Sequence, residues 1–300
     1  MYQHTVYNTY EFEGKGLHTG LMSKVRIKPA SEDTGLTFIR TDLDGVVIEA
    51  LAENVTSTAR STTISKNGAE VHTIEHIVSA LTGMGVDNAI IEIDNCEVPI
   101  LDGSASYYVK AIAKDGIRQQ KAERKYINIS EPIEIKDEKS GSYVRIEPAD
   151  RPSIDVTIDF GSKVLGVQTA HWDESVDYAT QVGVCRTFVF FHEIEYLFSN
   201  NMIKGGDVDN AIVIVEHPVS QEQLERMSKL FNRNALCIEK GYLNNLELYF
   251  PNECGRHKLL DMIGDMRLVG GYLNAKITAF KPGHTINTNA AKAVRRAFAI

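Results

Sequence analysis

The 300-residue sequence has no long apolar run, no paired cysteines and no excess of basic charge. No stretch approaches the roughly 18 uninterrupted apolar residues of a membrane-spanning helix. The start, Met1-Tyr-Gln-His-Thr-Val6, carries neither a basic run nor an apolar signal core. A cytoplasmic protein without stable membrane insertion is therefore the expectation. The four cysteines, Cys96, Cys185, Cys237 and Cys254, are scattered, with no Cys-x-x-Cys pair, so neither a disulfide framework nor a zinc knuckle is suggested. They read as free thiols. A net charge of -8 argues against a general nucleic-acid binder and leaves room for a local basic pocket that takes an acidic small molecule. No obligate protein partner is evident.

What is present is a globular composition, 43% hydrophobic and 24% charged, over a length that suits two ordinary domains or one large one. Gly14-Lys-Gly-Leu-His-Thr-Gly20 looks like a phosphate cradle. It lacks the third glycine of the dinucleotide fingerprint and the Lys-Ser/Thr of a P-loop, so it reads as a glycine-rich turn. His18 at its tip is either functional or a simple turn residue. Runs at 24–27, 36–39 and 46–48 are candidate strands. From Ile74, the apolar residues Ile74, Ile77, Val78, Leu81 and Met84 recur at helical spacing, with Thr73 placed to cap and Gly83 and Gly85 to stop. A strand at 88–94 follows, then a turn at 99–105 and a second helix ending near Lys114-Asp-Gly116. The polar stretch 118–125 separates a first α+β domain, 1–120, from a second, 126–300. The second domain restarts with strands at 126–129, 133–135, 143–146 and 154–160. A helix at 192–199, a break at Gly205-Gly206, a buried strand at 211–215 and a helix at 221–231 come next.

Arg256-His-Lys-Leu-Leu-Asp-Met-Ile-Gly-Asp265 carries the densest signal. As a helix it gathers His257, Lys258, Asp261 and Asp265 in one wedge about 100° wide, with Leu259, Leu260, Met262, Ile263 and Met266 opposite. Two readings fit the wedge: the solvated face of an amphipathic helix, or a chemical front in which His257 and Asp261, four apart, share a metal ion. The helix stops at Gly270-Gly271 and hands over to a strand at 272–280. Helix, glycines and strand thus occur once around Glu75 and again around Asp261, which hints at a duplicated fold. Lys281-Pro-Gly-His284 reads as a tight turn exposing Lys281 and His284 at a sheet edge, where His284 is a general acid or merely polar. Asp265 could keep that histidine charged. Zinc has two possible arrangements. His72-Thr-Ile-Glu-His76 matches a peptidase signature with His72 and His76 as ligands and Glu75 as base, at the cost of the Thr73 cap. The alternative draws His76 from one helix and His257 and Asp261 from the other, with Glu75 beside the water.

Six motifs occur in order: Gly14-Lys-Gly-Leu-His-Thr-Gly20, Thr73-Ile-Glu-His76, Asp102-Gly-Ser-Ala105, Cys185-Arg-Thr-Phe188, Arg256-His-Lys-Leu-Leu-Asp261 with Asp265, and Lys281-Pro-Gly-His284. In these the sequence resembles the UDP-3-O-acyl-N-acetylglucosamine deacetylases, zinc-dependent hydrolases of lipid A and lipopolysaccharide biosynthesis. The resemblance implies an α+β fold of two similar domains from a duplicated strand and helix unit. Their helices pack between two sheets, with the active site at the domain interface. It implies Zn2+ on His76, His257 and Asp261, Glu75 as general base, and His284 as general acid oriented by Asp265. Thr187 would donate to the oxyanion, and Lys258 would act there or near the sugar. His18, with Leu17 beside it, and Lys281 would lie towards the nucleotide diphosphate, and Phe188 against sugar or uracil. An apolar passage for the acyl chain is implied where Phe190, Phe191, Ile194, Leu197, Phe198 and Ile203 lie, residues that alone also read as ordinary core. The implied substrate is UDP-3-O-(3-hydroxyacyl)-N-acetylglucosamine, and acetate is the product. Asn252 and Cys254-Gly255 depart from the family pattern and bear on loop geometry rather than on a ligand. Some members continue into a fused dehydratase domain, and no such second activity is expected within these residues. The rival readings are the zinc peptidase and a non-catalytic binder of UDP-sugars or acyl chains.

Overall fold

The computed structural model describes residues 1–200, 202–233, 236–243 and 247–298. The first half carries strands β1 (Tyr2–Val6), β2 (Tyr10–Lys15), β3 (Met22–Pro29), β4 (Leu36–Arg40), β5 (Val46–Glu49), β6 (Val55–Ser57), β7 (Thr63–Lys66) and β8 (Ala69–Val71). Helix α1 (Glu75–Gly83), β9 (Ala89–Ile93), α2 (Ser106–Asp115) and β10 (Ile117–Glu123) complete it. The second half begins with β11 (Tyr126–Asn128), β12 (Ile133–Asp137), β13 (Ser142–Pro148), β14 (Ser153–Asp159) and β15 (Val167–Asp173). Then come α3 (Tyr178–Gln181), β16 (Phe188–Phe190), α4 (Phe191–Ser199), β17 (Ile212–Ile214), α5 (Gln221–Leu230), β18 (Ile238–Glu239) and β19 (Tyr242–Leu243). Helix α6 (Glu253–Met266), β20 (Tyr272–Phe280) and α7 (His284–Phe298) close the chain.

Alternation builds the sheets. In β3, Ser23, Val25 and Ile27 turn inward while Met22, Lys24 and Arg26 face solvent. In β20 the inward set is Leu273, Ala275, Ile277 and Ala279. The two large sheets run β2-β3-β9-β4-β5 and β12-β13-β20-β14-β15. In each, the last strand of the unit enters at the centre, antiparallel to one neighbour and parallel to the other. One topology is therefore present twice, as the helix, glycine and strand pattern suggested. Between the sheets α1 packs on α6, burying Ile77, Val78 and Leu81 with Leu259, Leu260 and Ile263. Both faces of the helical layer are thus covered by sheet, which is the α+β arrangement expected.

Each unit also carries an insertion beside the helical layer. In the first it is the small sheet β6-β7-β8. In the second it is the sheet β16-β17-β19-β18 with α4 and α5, around its own apolar cluster of Ile194, Leu197, Ile203, Val213 and Met227. The stretch 118–125, expected as a domain boundary, is mostly β10, which pairs antiparallel with β1. Its polarity reflects a strand with little burial. Among the described residues no helix is long and apolar enough to cross a membrane.

The crossing of α1 and α6 is tight at one point. A Cβ placed on Gly264 would stand 2.3 Å from the carbonyl oxygen of Glu75, so the helices touch backbone to backbone where α1 begins. Gly264→Ala is expected to push Glu75 away and cost about 1–3 kcal/mol of stability. The midpoint of denaturant unfolding measures this, and an unchanged midpoint would refute it.

Candidate active site

Helix α1 starts abruptly. Thr73 adopts a left-handed backbone (φ 58°), and its hydroxyl donates to Glu97 Oε1 at 3.0 Å. The N-cap position belongs to Ile74, without a side-chain cap, so the capping role expected of Thr73 is not filled. The kink also takes His72 out of helical register with His76. The His72 ring is engaged by Thr63 Oγ1 at 2.9 Å and Glu70 Oε1 at 3.0 Å, which removes the peptidase arrangement.

The polar wedge of α6 is not a solvated face. His257, Asp261 and Asp265 are each at most 2% exposed, because α1 and α7 pack over them. His257 Nε2 lies 3.4 Å from Asp261 Oδ1, and His76 Nε2 lies 3.8 Å from the same atom. One donor atom from each of His76, His257 and Asp261 falls within 4.8 Å of the others. Tetrahedral zinc with nitrogen and oxygen ligands spaces its donors by roughly 3.3 Å, so the spacing suits a divalent ion. Among the described residues Asp261 Oδ1 is buried with no hydrogen-bond partner, whereas Oδ2 accepts from Lys258 Nζ at 2.7 Å. A buried, orphaned carboxylate oxygen between two imidazoles is costly unless a cation satisfies it. His257 Nδ1 meets the Cys185 carbonyl at 3.0 Å, which leaves Nε2 turned towards Asp261 Oδ1.

Electrostatics agree with this. Burial, helped by the neighbouring His257, pushes His76 down to about 3, and burial also lowers His257, so both rings are neutral, the form a metal ion would require. Burial works against the Asp261 charge, yet Lys258 and His257 hold it well below the usual carboxylate range. For Lys258 burial is outweighed by Asp261, which raises it.

Beside these three residues stand a carboxyl, Glu75, and an imidazole, His284. Burial pushes Glu75 up to about 7. For His284 burial is overcome by the charges of Asp265 and Glu75, which raise it to about 9. His284 Nε2 is 3.7 Å from Glu75 Oε1, and Nδ1 is 2.9 Å from Asp265 Oδ2. His284 is therefore not exposed at a sheet edge. β20 is the central strand of its sheet, and the Lys281-Pro-Gly turn runs straight into α7, whose first residue His284 is buried beneath it.

A cavity of about 290 Å3 opens from these groups. Thr187, Phe188, Leu17 and His18 line it, and Phe190, Ile194, Leu197, Ile203, Val213 and Phe231 give it the apolar wall of a passage. Thr187 is set by the Asp102-Gly-Ser-Ala105 turn. Its N–H donates to the Gly103 carbonyl at 2.8 Å, and a Cβ on Gly103 would meet the Asn210 carbonyl oxygen at 2.1 Å. Lys258 lies 5.4 Å from the Phe188 ring centre. Phe191 does not line the passage. The chain turns from β16 into α4 at this point, so Phe190, the last residue of the strand, faces the cavity while Phe191, the first of the helix, joins the insertion's own core. Phe198 is 38% exposed. Lys281 pairs with Asp159 at 3.3 Å and borders a neighbouring cleft that shares His284. In the glycine-rich turn, His18 Nδ1 bonds the Met202 carbonyl at 2.6 Å. The amides of His18 and Thr19 donate to Glu97 at 2.9 and 2.8 Å.

Sequence reasoning missed Thr62, Asn287, Phe160 and Glu97, all at or beside the site. None carries a spacing signal. Asn252, a departure from the family pattern, bridges the Thr169 carbonyl (2.7 Å) to Arg256 Nε (2.9 Å), and the Gly255 N–H bonds Gln168 Oε1 at 2.8 Å; neither bonds His76, His257 or Asp261.

Comparison with known proteins covers nearly the whole chain. A family model described as UDP-3-O-acyl N-acetylglycosamine deacetylase matches residues 3–233 and 228–296. The chain is 42% identical over 296 residues to the bifunctional enzyme LpxC/FabZ of Bacteroides thetaiotaomicron, covering 98% of this chain and 64% of that protein. It thus spans just under two thirds of that relative. To the UDP-3-O-acyl-N-acetylglucosamine deacetylase of Helicobacter hepaticus it is 40% identical over 288 residues, covering 96% of this chain and 88% of that one. To the protein of the same name from Trichormus variabilis it is 37% identical over 301 residues, covering 98% of both.

Proposed function

The chain belongs to the UDP-3-O-acyl N-acetylglycosamine deacetylase family, and from that premise we propose that it hydrolyses the N-acetyl group of UDP-3-O-(3-hydroxyacyl)-N-acetylglucosamine in lipid A biosynthesis. The observation that carries the reading is the orphaned Asp261 oxygen between His76 and His257, beside the Glu75 and His284 pair at the head of an apolar passage. A bound Zn2+ would supply a Lewis acid that lowers the pKa of water towards roughly 7. Glu75 takes the proton of the attacking water through Oε1, since Oε2 is held by the Thr62 N–H at 3.0 Å. Thr187 and Lys258 face the charge that develops on the carbonyl oxygen. His284, anchored through Nδ1, gives its Nε2 proton to the departing amine. The C–N bond breaks, the water oxygen ends in acetate, and the sugar keeps a free amino group. The acyl chain occupies the apolar passage, and His18, Leu17 and Phe188 hold the sugar-nucleotide end, while Lys281 would reach the substrate only from the neighbouring cleft that shares His284. This reading goes with a cytoplasmic enzyme of two domains, 1–120 and 126–300.

The test is release of acetate from that substrate, abolished by a chelator and restored by zinc; no acetate under any metal would overturn the proposal. The pH dependence follows from the two raised values. Glu75 acts deprotonated, so kcat/KM falls as pH drops below about 7; His284 acts protonated, so it falls again above about 9. A bell with a plateau between these limits is expected, and His284→Ala should remove the alkaline limb. Its persistence in that variant would withdraw the acid role.

A further inference from the structure

Thr62 lies at the junction of β6 and β7, in the small insertion of the first half, and is fully buried. It has no part in the chemistry above except through its backbone, yet it touches every element of the acid and base pair. Its N–H donates to Glu75 Oε2 at 3.0 Å, and its carbonyl accepts from the Ile74 N–H at 3.3 Å, which fixes the start of α1. Its hydroxyl donates to Asp265 Oδ1 at 2.6 Å and lies 3.2 Å from His284 Nδ1. With Glu75 Oε1 3.7 Å from His284 Nε2, the four residues Thr62, Glu75, His284 and Asp265 close a ring.

A hydroxyl has one proton to give. The imidazole Nδ1–H is itself a donor to Asp265 Oδ2, so the Thr62 proton goes to Oδ1. Asp265 then has both oxygens engaged, Oδ1 by Thr62 and Oδ2 by His284 and Asn287, and its carboxylate plane cannot turn. We infer that Thr62 is a positioning residue whose hydroxyl locks Asp265, and through it points His284 Nε2 at the reacting nitrogen while its backbone holds Glu75. The inference rests on the proposed deacetylation. It is distinct from it, because the hydrogen bonds of Thr62 go to Ile74, Glu75, Asp265 and His284 and not to the proposed metal ligands, and Thr62 does not line the cavity.

Thr62→Val keeps the shape and the backbone bonds and removes the hydroxyl. It should lower kcat roughly 10- to 100-fold, as loss of an outer hydrogen-bond partner does, with KM within about twofold and metal content unchanged. Thr62→Ser should recover most of the rate. In an Asp265→Asn background Thr62→Val should cost less than about threefold, because the two act through one path. In the metal-free protein, the downfield ring N–H proton of His284 should be visible in wild type and Thr62→Ser and lost to solvent exchange in Thr62→Val. Should Thr62→Val not fold, Thr62→Ala carries the same expectations. An unchanged kcat, a full multiplicative loss in the Asp265→Asn background, or an unaltered His284 proton would overturn the inference. If wild type released no acetate, the functional reading would fall instead, and the proton resonance would still decide the role of Thr62.

Discussion

Glu75→Gln should retain its metal and lose about two to four orders of magnitude in turnover. The amide is the same size as the carboxylate and can still accept from the Thr62 N–H, so α1 keeps its start and its contact with Gly264. What is lost is the basic oxygen facing His284 Nε2. A second effect runs in a fixed direction. Burial lowers His284, and Glu75 is one of the two charges that most oppose it, so the neutral amide should move the alkaline limb of the residual rate to lower pH. Elemental analysis and the pH profile check both parts. Turnover within a few-fold of wild type would end the base assignment.

His257→Ala should lose the metal, and with it all measurable activity. The proposed ligand set has three residues, and His257 is the member whose orientation is fixed from behind by the Cys185 carbonyl. Removing it leaves that carbonyl without its partner and Asp261 Oδ1 with one imidazole instead of two. Loss of an outer partner alone costs roughly 10- to 100-fold in metal affinity, and loss of a direct ligand should exceed that. The control is His72→Ala. Its ring bonds Thr63 and Glu70, away from the ligands, so metal and turnover should stay near wild type. A full metal complement in His257→Ala, or an empty His72→Ala protein, would exchange the two arrangements weighed from the sequence.

The periodic parts of this architecture were legible in the sequence. The face of α6 that bears His257, Asp261 and Asp265 follows from spacing alone, and β20 runs over the span its alternation predicts. β15 was missed because its buried positions are Gln168 and Ala170 while Val167 faces solvent, the reverse of the usual signal. α7 was missed because its buried face is built largely of Ala290, Ala291 and Thr288, small side chains with little hydrophobic contrast. That omission put His284 at the surface. The same limit hid Thr62: its partners lie 13, 203 and 222 residues away, and no local pattern encodes a contact that only tertiary packing makes. Most of the candidate site residues were reached through ordered motifs, whereas the geometry that joins them needed the fold.

The glycine-rich turn at 14–20 is closed on a carboxylate of its own chain. Its amides converge as they would on an anion, and Glu97 already fills them, with Thr19 Oγ1 adding a third bond at 2.7 Å. A carboxylate tethered by its own chain competes at an effective concentration on the order of millimolar or above, and it is never diluted. Free phosphate must therefore displace an internal rival before it can bind there. The turn behaves as a receptor delivered with its ligand attached, and the position of His18 should not respond to phosphate or to salt.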